Sequence, residues 1–239
     1  DHVYLGDHIM GKSHDLATLK DDGGQFGSAS DDVTFFGTSG TLLSTDTHIS
    51  HNIYWGGSDW ATIDSAVPSS SMRLGGGSDN EFRFMNAAAG SNSMTTRMTI
   101  DASGRVTMPY QPAFRAWKDA TSWTVASTFV FDQTEYNVGG HYSTSTGRFT
   151  APVTGIYHFD FYTIEYGNIN NGYIRFWVNN ARPKGGDVHF TTNEGSYWDY
   201  VGWHGDYKLN AGDYVEFITA QSHSYHGRNW SSFSGHLVG

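Results

Sequence analysis

The sequence predicts an all-β protein in two parts: a thin β-rich segment over residues 1–110 and a jelly-roll sandwich over residues 111–239. Three observations predict it. Glycine is abundant at 29 residues and charged residues make up only 16%; Thr, Ser and aromatic residues outnumber Lys, Glu and Leu, the alphabet of short strands and turns rather than of helices. Aromatic side chains divide unevenly, 10 in residues 1–110 against 27 in residues 111–239, so the ring-built core belongs to the second part. Between the parts stands Met108-Pro109-Tyr110-Gln111-Pro112, whose two prolines stiffen the joint and exclude a central strand there.

The first part consists of short apolar pieces between Gly, Ser and Asp turns. They are Val33-Thr34-Phe35-Phe36, Asn52-Ile53-Tyr54-Trp55, Glu81-Phe82-Arg83-Phe84-Met85 and Met98-Thr99-Ile100. An isolated hairpin is marginal in water, so pieces this short need a core shared between chains. The expectation is an intertwined trimer without an independently folded monomer. One helix is predicted over residues 13–20, with Ser13 as N-cap and Leu16 and Leu19 on one face.

The second part alternates clearly. Tyr157, Phe159 and Phe161 share one face of a strand; Ile174, Phe176 and Val178 share another, and Val215, Phe217 and Thr219 a third. Turn signals at Val138-Gly139-Gly140, Asn170-Asn171-Gly172, Lys184-Gly185-Gly186 and Asn210-Ala211-Gly212-Asp213 separate them. Many short strands in about 130 residues suggest a sandwich.

Composition excludes several functions. A net charge of -10 repels polyanions, and no Lys/Arg cluster overrides it, so nucleic acid is not expected as a partner. With no cysteine, disulfides, thiolate metal sites and thiol catalysis are excluded. No apolar run approaches the roughly 18 residues of a membrane helix, and no signal peptide is visible. The chain starts at Asp1 without a methionine and is expected to be a piece of a longer protein. Asp132, Glu135, Asp160, Glu165, Asp187, Glu194, Asp199, Asp206, Asp213 and Glu216 supply carboxylates that a glycan hydrolase could pair, but none sits in a recognisable catalytic motif. No enzyme and no cofactor are expected. His2, His8 and His14 recur every six residues, and His48 and His51 lie three apart. One such histidine per chain on a three-fold axis would make a three-nitrogen metal site, although solvated surface histidines are the simpler reading.

Residues 111–239 resemble the globular head of complement component-one q, a tumour-necrosis-factor-like jelly roll. The resemblance is carried by Gln111-Pro112-Ala113-Phe114-Arg115-Ala116, Phe129, Tyr136-Asn137, the run from Thr146-Gly147-Arg148-Phe149 to Gly155-Ile156-Tyr157-His158-Phe159, Leu209-Asn210-Ala211-Gly212-Asp213-Tyr214-Val215, and Phe233-Ser234-Gly235-His236-Leu237-Val238. It implies a complement-q-like jelly-roll head that assembles as a homotrimer and binds ligands without catalysis. Residues 1–110 are similar to bacteriophage tail-fibre segments, through Asn80-Glu81-Phe82-Arg83-Phe84 and Arg97-Met98-Thr99-Ile100-Asp101-Ala102-Ser103-Gly104-Arg105-Val106. Together the resemblances imply a trimeric shaft and head: a virion tail-fibre adhesin joined to upstream fibre or tail proteins and binding a host-surface glycan or protein receptor. A tail-associated hydrolase or a purely structural trimer cap are the alternatives.

The resemblance also orients the head. Its last strand, near residues 232–238, should pair with its first, near 113–117, so that the C-terminus lies at the end where the chain enters the head. Counting back, loops 165–172, 191–197 and 221–230 fall at the far end, and 180–184 and 207–212 near the point where the chain enters. The far loops carry Tyr166, Asn168, Asn170, Asn171, Asn193, Glu194, Tyr197, His223, Tyr225, His226, Arg228 and Asn229. Rings and amides suit carbohydrate and polar surfaces, so these are the predicted receptor-binding residues, with Tyr225, Arg228 and Tyr197 foremost. Trp198, Trp203 and Trp230 are further loop rings, candidates either to stack on a ligand or simply to pack the loops.

Overall fold

A computed structural model describes residues 25–26, 33–34, 46–55, 59–76, 80–165, 167, 169, 172–191 and 199–239. The chain divides into two compact units, Asp1–Pro109 and Tyr110–Gly239. The described residues form strands and one short 3-10 turn. The helix expected over residues 13–20 lies outside them.

The first unit contains β1 (Gln25–Phe26), β2 (Val33–Thr34), β3 (Asp46–His51), β4 (Ile53–Trp55), β5 (Trp60–Thr62), β6 (Ser69–Gly76), β7 (Phe82–Ala87), β8 (Thr95–Ile100) and β9 (Val106–Thr107). β1 pairs with β2 and β4 with β5, while a five-stranded sheet runs in the order β3-β6-β7-β8-β9. Every pair in it is antiparallel. The turn from β8 to β9 is closed by Asp101, whose carboxylate accepts backbone N–H bonds from Ser103 at 2.8 Å and Arg105 at 3.0 Å and binds the Arg105 side chain at 2.7 Å. The Arg105 backbone bond leads in holding the Asp101 carboxyl below its usual range. Gly104 supplies the left-handed φ of 79° that the reversal needs. The Asp-Ala-Ser-Gly-Arg stretch is therefore turn chemistry.

The second unit contains β10 (Ala113–Trp117), β11 (Ser122–Val125), β12 (Gln133–Val138), β13 (Tyr142–Ser143), β14 (Arg148–Thr150), β15 (Gly155–Glu165), β16 (Gly172–Val178), β17 (Asp187–Phe190), β18 (Tyr200–Leu209), β19 (Tyr214–Ile218), β20 (His223–His226) and β21 (Ser232–Leu237). Seven strands form one sheet, β11-β20-β15-β21-β10-β12 with β18 on the other side of β15. Five form the other, β13-β14-β19-β16-β17. Phe159, Phe161, Phe176 and Phe217, which alternation placed on inward faces, are buried, and Phe114, Phe149 and Phe233 are buried with them. Phe161 stacks on Phe217 at 4.2 Å between centroids, and Phe114 meets Phe233 edge-on at 4.9 Å. Interlocked rings of this kind bury large areas and constrain one another's orientation.

One buried charge is compensated. Glu216 is 2% exposed and takes two bonds from the Arg148 guanidinium, both at 3.2 Å, and one from the Thr128 hydroxyl at 3.1 Å. The same carboxylate holds Arg148 above its usual pKa.

The two sheets are tied along an open edge. Trp203 stacks on Phe176 at 4.6 Å and donates its indole N–H to the Gly185 carbonyl at 3.2 Å; Tyr207 donates its hydroxyl to the Lys184 carbonyl at 2.7 Å. Trp203 therefore belongs to a strand and to the edge of the core, not to a ligand-facing loop. Residues 207–209 also belong to β18, which shortens the expected loop there to a tight turn around Ala211 and Gly212.

The head is oriented as the strand count expected. β21 pairs antiparallel with β10, from Ala113 opposite His236 to Trp117 opposite Ser232. Gly155 opposes Leu209, so the turn after β18 lies at the proximal end, where the chain enters the unit. Ile164 opposes Tyr200, so the β15–β16 and β17–β18 connections start from the distal end.

Candidate functional site

The distal end is not one loop where the sequence suggested one. Residues 221–230 contain β20, paired with β11 from Val125 opposite His223 to Ser122 opposite His226, and then the 3-10 turn Arg228–Trp230. Gly227 makes the crossing possible: a Cβ there would sit 1.9 Å from the Ala120 carbonyl oxygen. Arg228 follows with φ +47°, its backbone N–H donating to the Lys118 carbonyl at 2.5 Å and its Nε to the Asp119 carbonyl at 2.9 Å.

This geometry corrects the predicted receptor-binding set. Tyr225 is fully buried, its ring 4.9 Å from that of Phe129, and burial pushes its hydroxyl pKa far up. His226 is buried as well. Neither can meet a receptor. Both lie on β20, whose pairing with β11 and with the end of β15 makes this stretch a strand within the sheet and not an open loop. Arg228 and Asn229 are exposed, and Trp230 is half exposed beside them. His223 is half-buried with Nε2 3.1 Å from Gln221 Oε1, and its burial depresses its pKa. Tyr166, Asn168, Asn170, Asn171, Asn193, Glu194, Tyr197 and Trp198 lie outside the described residues.

A second surface was not foreseen. It is the solvent face of the seven-stranded sheet, built from the partners of the inward-pointing rings. One row crosses five strands: Tyr136, Arg115, Ser234, Asp160 and His204. The next holds His236, His158 and Asp206. His158 lies between two carboxylates, Nδ1 2.6 Å from Asp206 and Nε2 3.1 Å from Asp160. The Asp206 bond leads in raising its pKa, and the Asp160 charge adds to it. The His236 ring is 5.5 Å away. Arg115 is ion-paired with Glu135, which raises its pKa.

Above these rows, Tyr200 and Tyr162 stack at 6.2 Å, 22° from parallel. Gly202 makes room for Tyr200, because a Cβ there would lie 2.2 Å from its hydroxyl. The result is a flat aromatic platform. Tyr200 is 68% exposed, while Tyr136 and Ile156 on the same sheet are 45% exposed. Alternation could have revealed this face: the residues between Tyr157, Phe159 and Phe161 are His158, Asp160 and Tyr162.

Among the described residues no cluster of three or more His, Cys, Asp or Glu side chains is arranged to hold a metal ion. His51 is exposed; His2, His8 and His14 lie outside the described residues.

The profile of the C1q domain matches residues 113–238, just over half of the chain. One subunit of the mouse complement C1q subcomponent is 36% identical over 67 residues, 28% of this chain and 27% of its own length. Mouse complement C1q tumor necrosis factor-related protein 3 is 29% identical over 114 residues, 47% of this chain and 45% of its own. The chain thus spans less than half the length of these curated relatives. Among solved structures, the globular domain of zebrafish complement 1qA protein superposes with a TM-score of 0.40 at 18% identity, covering 54% of this chain and 98% of that one. An Eiger TNF from S. frugiperda gives 0.45 at 10% identity, covering 54% and 93%. The curated relatives are animal complement and complement-related proteins, which overturns the expected tail-fibre adhesin role and the expected virion location. The similarity of residues 1–110 to fibre segments rested on short stretches, and the one at residues 101–105 has its own local reason in turn formation.

Proposed function

The chain belongs to the C1q domain family through residues 113–238, and on that premise we propose that it works as a homotrimeric ligand-binding head whose three copies meet through the solvent face of the seven-stranded sheet. Members of the family bind ligands and are not enzymes, so the hydrolase alternative falls. The observation that carries the proposal is the exposed platform of Tyr200 and Tyr162 beside the Tyr136–Arg115 row. Tyr and Arg are enriched at interfaces and dominate their energetics, and an open sheet face bearing them calls for a partner.

The ligand surface is the distal end, where Arg228, Asn229 and the half-buried His223 lie on and beside the 3-10 turn next to the end of β15. Three copies around an axis multiply individually weak contacts. The test is binding of the intact chain to arrays of glycans and cell-surface proteins, beside the Arg228→Ala/Asn229→Ala double variant. Lost binding with stability lowered by no more than about 1 kcal/mol is expected, since both side chains are exposed and the bond given up, from Arg228 Nε to the Asp119 carbonyl, is a single exposed one. Unchanged binding, with loss instead on replacing Asn210 at the proximal end, would place the ligand surface at the wrong end of the head.

A further inference from the structure

The five-stranded sheet of the first unit has two chemically opposite faces. On one, two rows of cross-strand neighbours are almost wholly apolar: Ile49, Met72, Phe84 and Met98, then Leu74, Phe82, Ile100 and Val106. On the other lie Arg73, Arg83 and Thr99 in one row, with Ser50 and Ser71 joined by a 2.8 Å hydrogen bond in the next. An amphipathic sheet of this kind is one layer of a two-layer structure. Yet its apolar rows stay open: Ile49 is 56%, Phe82 47%, Phe84 42% and Val106 51% exposed.

We infer that this apolar face is the seam along which three copies of the first unit pack together, each copy supplying the missing layer for the others. The inference rests on the homotrimer proposed for the head. Two features favour copies of this chain over another partner. The first is size. Five strands about 4.8 Å apart and two rows of side chains span about 19 by 14 Å, on the order of 270 Å² in projection. A stable interface between free proteins buries roughly 800 Å² on each side. The face is too small to capture a free partner, but large enough for chains already held together, whose effective concentration reaches the millimolar range.

The second feature is continuity. Exposed apolar residues recur at every second position from the sheet into the head: Val106, Met108 at 49% and Tyr110 at 57%. This run leads directly to β10, which lies in the sheet proposed as the head's own seam. The first unit is tethered to the head through this short stretch of chain, so a three-fold head holds three copies of the sheet at high local concentration.

Because the chain has no cysteine, a single introduced thiol can be joined only to another copy. The full chain is made as Met98→Cys, as Val106→Cys, and as Thr99→Cys on the opposite face, then treated with a three-armed maleimide and run under denaturing conditions. Sedimentation of the same samples reports whether the chain is trimeric at all. Capture of Met98→Cys and Val106→Cys as three-chain species, with Thr99→Cys left as single chains, is the expected result. Val106 is half exposed, so its variant keeps the experiment readable if Met98→Cys fails to fold. A sedimenting trimer in which neither apolar-face thiol is captured would overturn the seam and leave the head trimer standing. Equal capture of Thr99→Cys would also overturn it, because the faces would then be indistinguishable. A sedimenting monomer would remove the head trimer, and the seam with it.

Discussion

The two units of this chain solve the same problem in opposite ways. The head has two sheets and buries a set of interlocked rings between them, so each inward residue finds its partners within one chain. The five-stranded sheet of the first unit has comparable alternation but, among the described residues, no second layer, and Phe82 and Phe84 are almost half exposed. Period-2 patterning decides which face of a strand is apolar; whether that face is covered depends on how much chain is available to build the cover. The difference teaches where a substitution should be costly within one chain and where it should be felt only in the assembly.

The largest expected effect is in the head core. Phe217→Ala removes the ring that stacks on Phe161 at 4.2 Å and also meets Phe176, Trp203 and Phe233. A loss of about 3–5 kcal/mol in denaturant unfolding is expected, as for buried aromatic truncations generally. Gly235→Ala comes next. Its Cβ would lie 2.4 Å from the Phe159 ring, so β21 must shift against β15 at a cost of about 1–3 kcal/mol. Phe84→Ser reverses the pattern. The side chain is 42% exposed in one chain, so the head's melting should not move, while limited proteolysis should cut residues 46–107 faster than in the wild type. Equal proteolysis rates would dissolve the contrast between the units.

The smallest expected effect concerns pH. The folded state raises the His158 pKa through Asp206 and then Asp160, which means that folding favours the protonated ring. That contribution is fully present below the unfolded value of about 6.5 and is lost as pH rises through the higher folded value. The melting difference between wild type and His158→Gln should therefore shrink as pH is raised from about 6 to about 9. A difference that grows over the same window would contradict the Asp206–His158–Asp160 arrangement.

Much of the head was legible because its signal is local. The alternation of Tyr157, Phe159 and Phe161 named the core face, and the pairing of the last strand with the first followed from the family resemblance and appears in the register of β21 with β10. What failed was non-local. His223-Ser224-Tyr225-His226 carries one apolar residue and reads as a loop, but its pairing with β11 makes it a strand and drives Tyr225 into the core. Trp203 read as a loop ring for the same reason, since nothing near it in sequence announces Phe176 or Gly185 as its partners. The open sheet face has no local mark, because alternation separates the two faces of a strand but not an outward face that meets solvent from one that meets another chain. The tail-fibre reading failed differently: short turn-forming stretches in residues 1–110 were read as lineage, and a stretch such as Asp101 to Arg105 is shaped by the geometry of a reversal that unrelated chains share.

The central claim is that three chains meet through the platform of Tyr200, Tyr162 and Tyr136. Sedimentation equilibrium of the intact chain beside the Tyr136→Arg/Tyr200→Arg double variant tests it most directly, because both side chains are exposed and neither is needed to fold one chain. The wild type should sediment at three times the 26.4 kDa of a single chain, and the double variant as a folded monomer. A wild type that stays at one chain mass, or a double variant that remains trimeric, would contradict it.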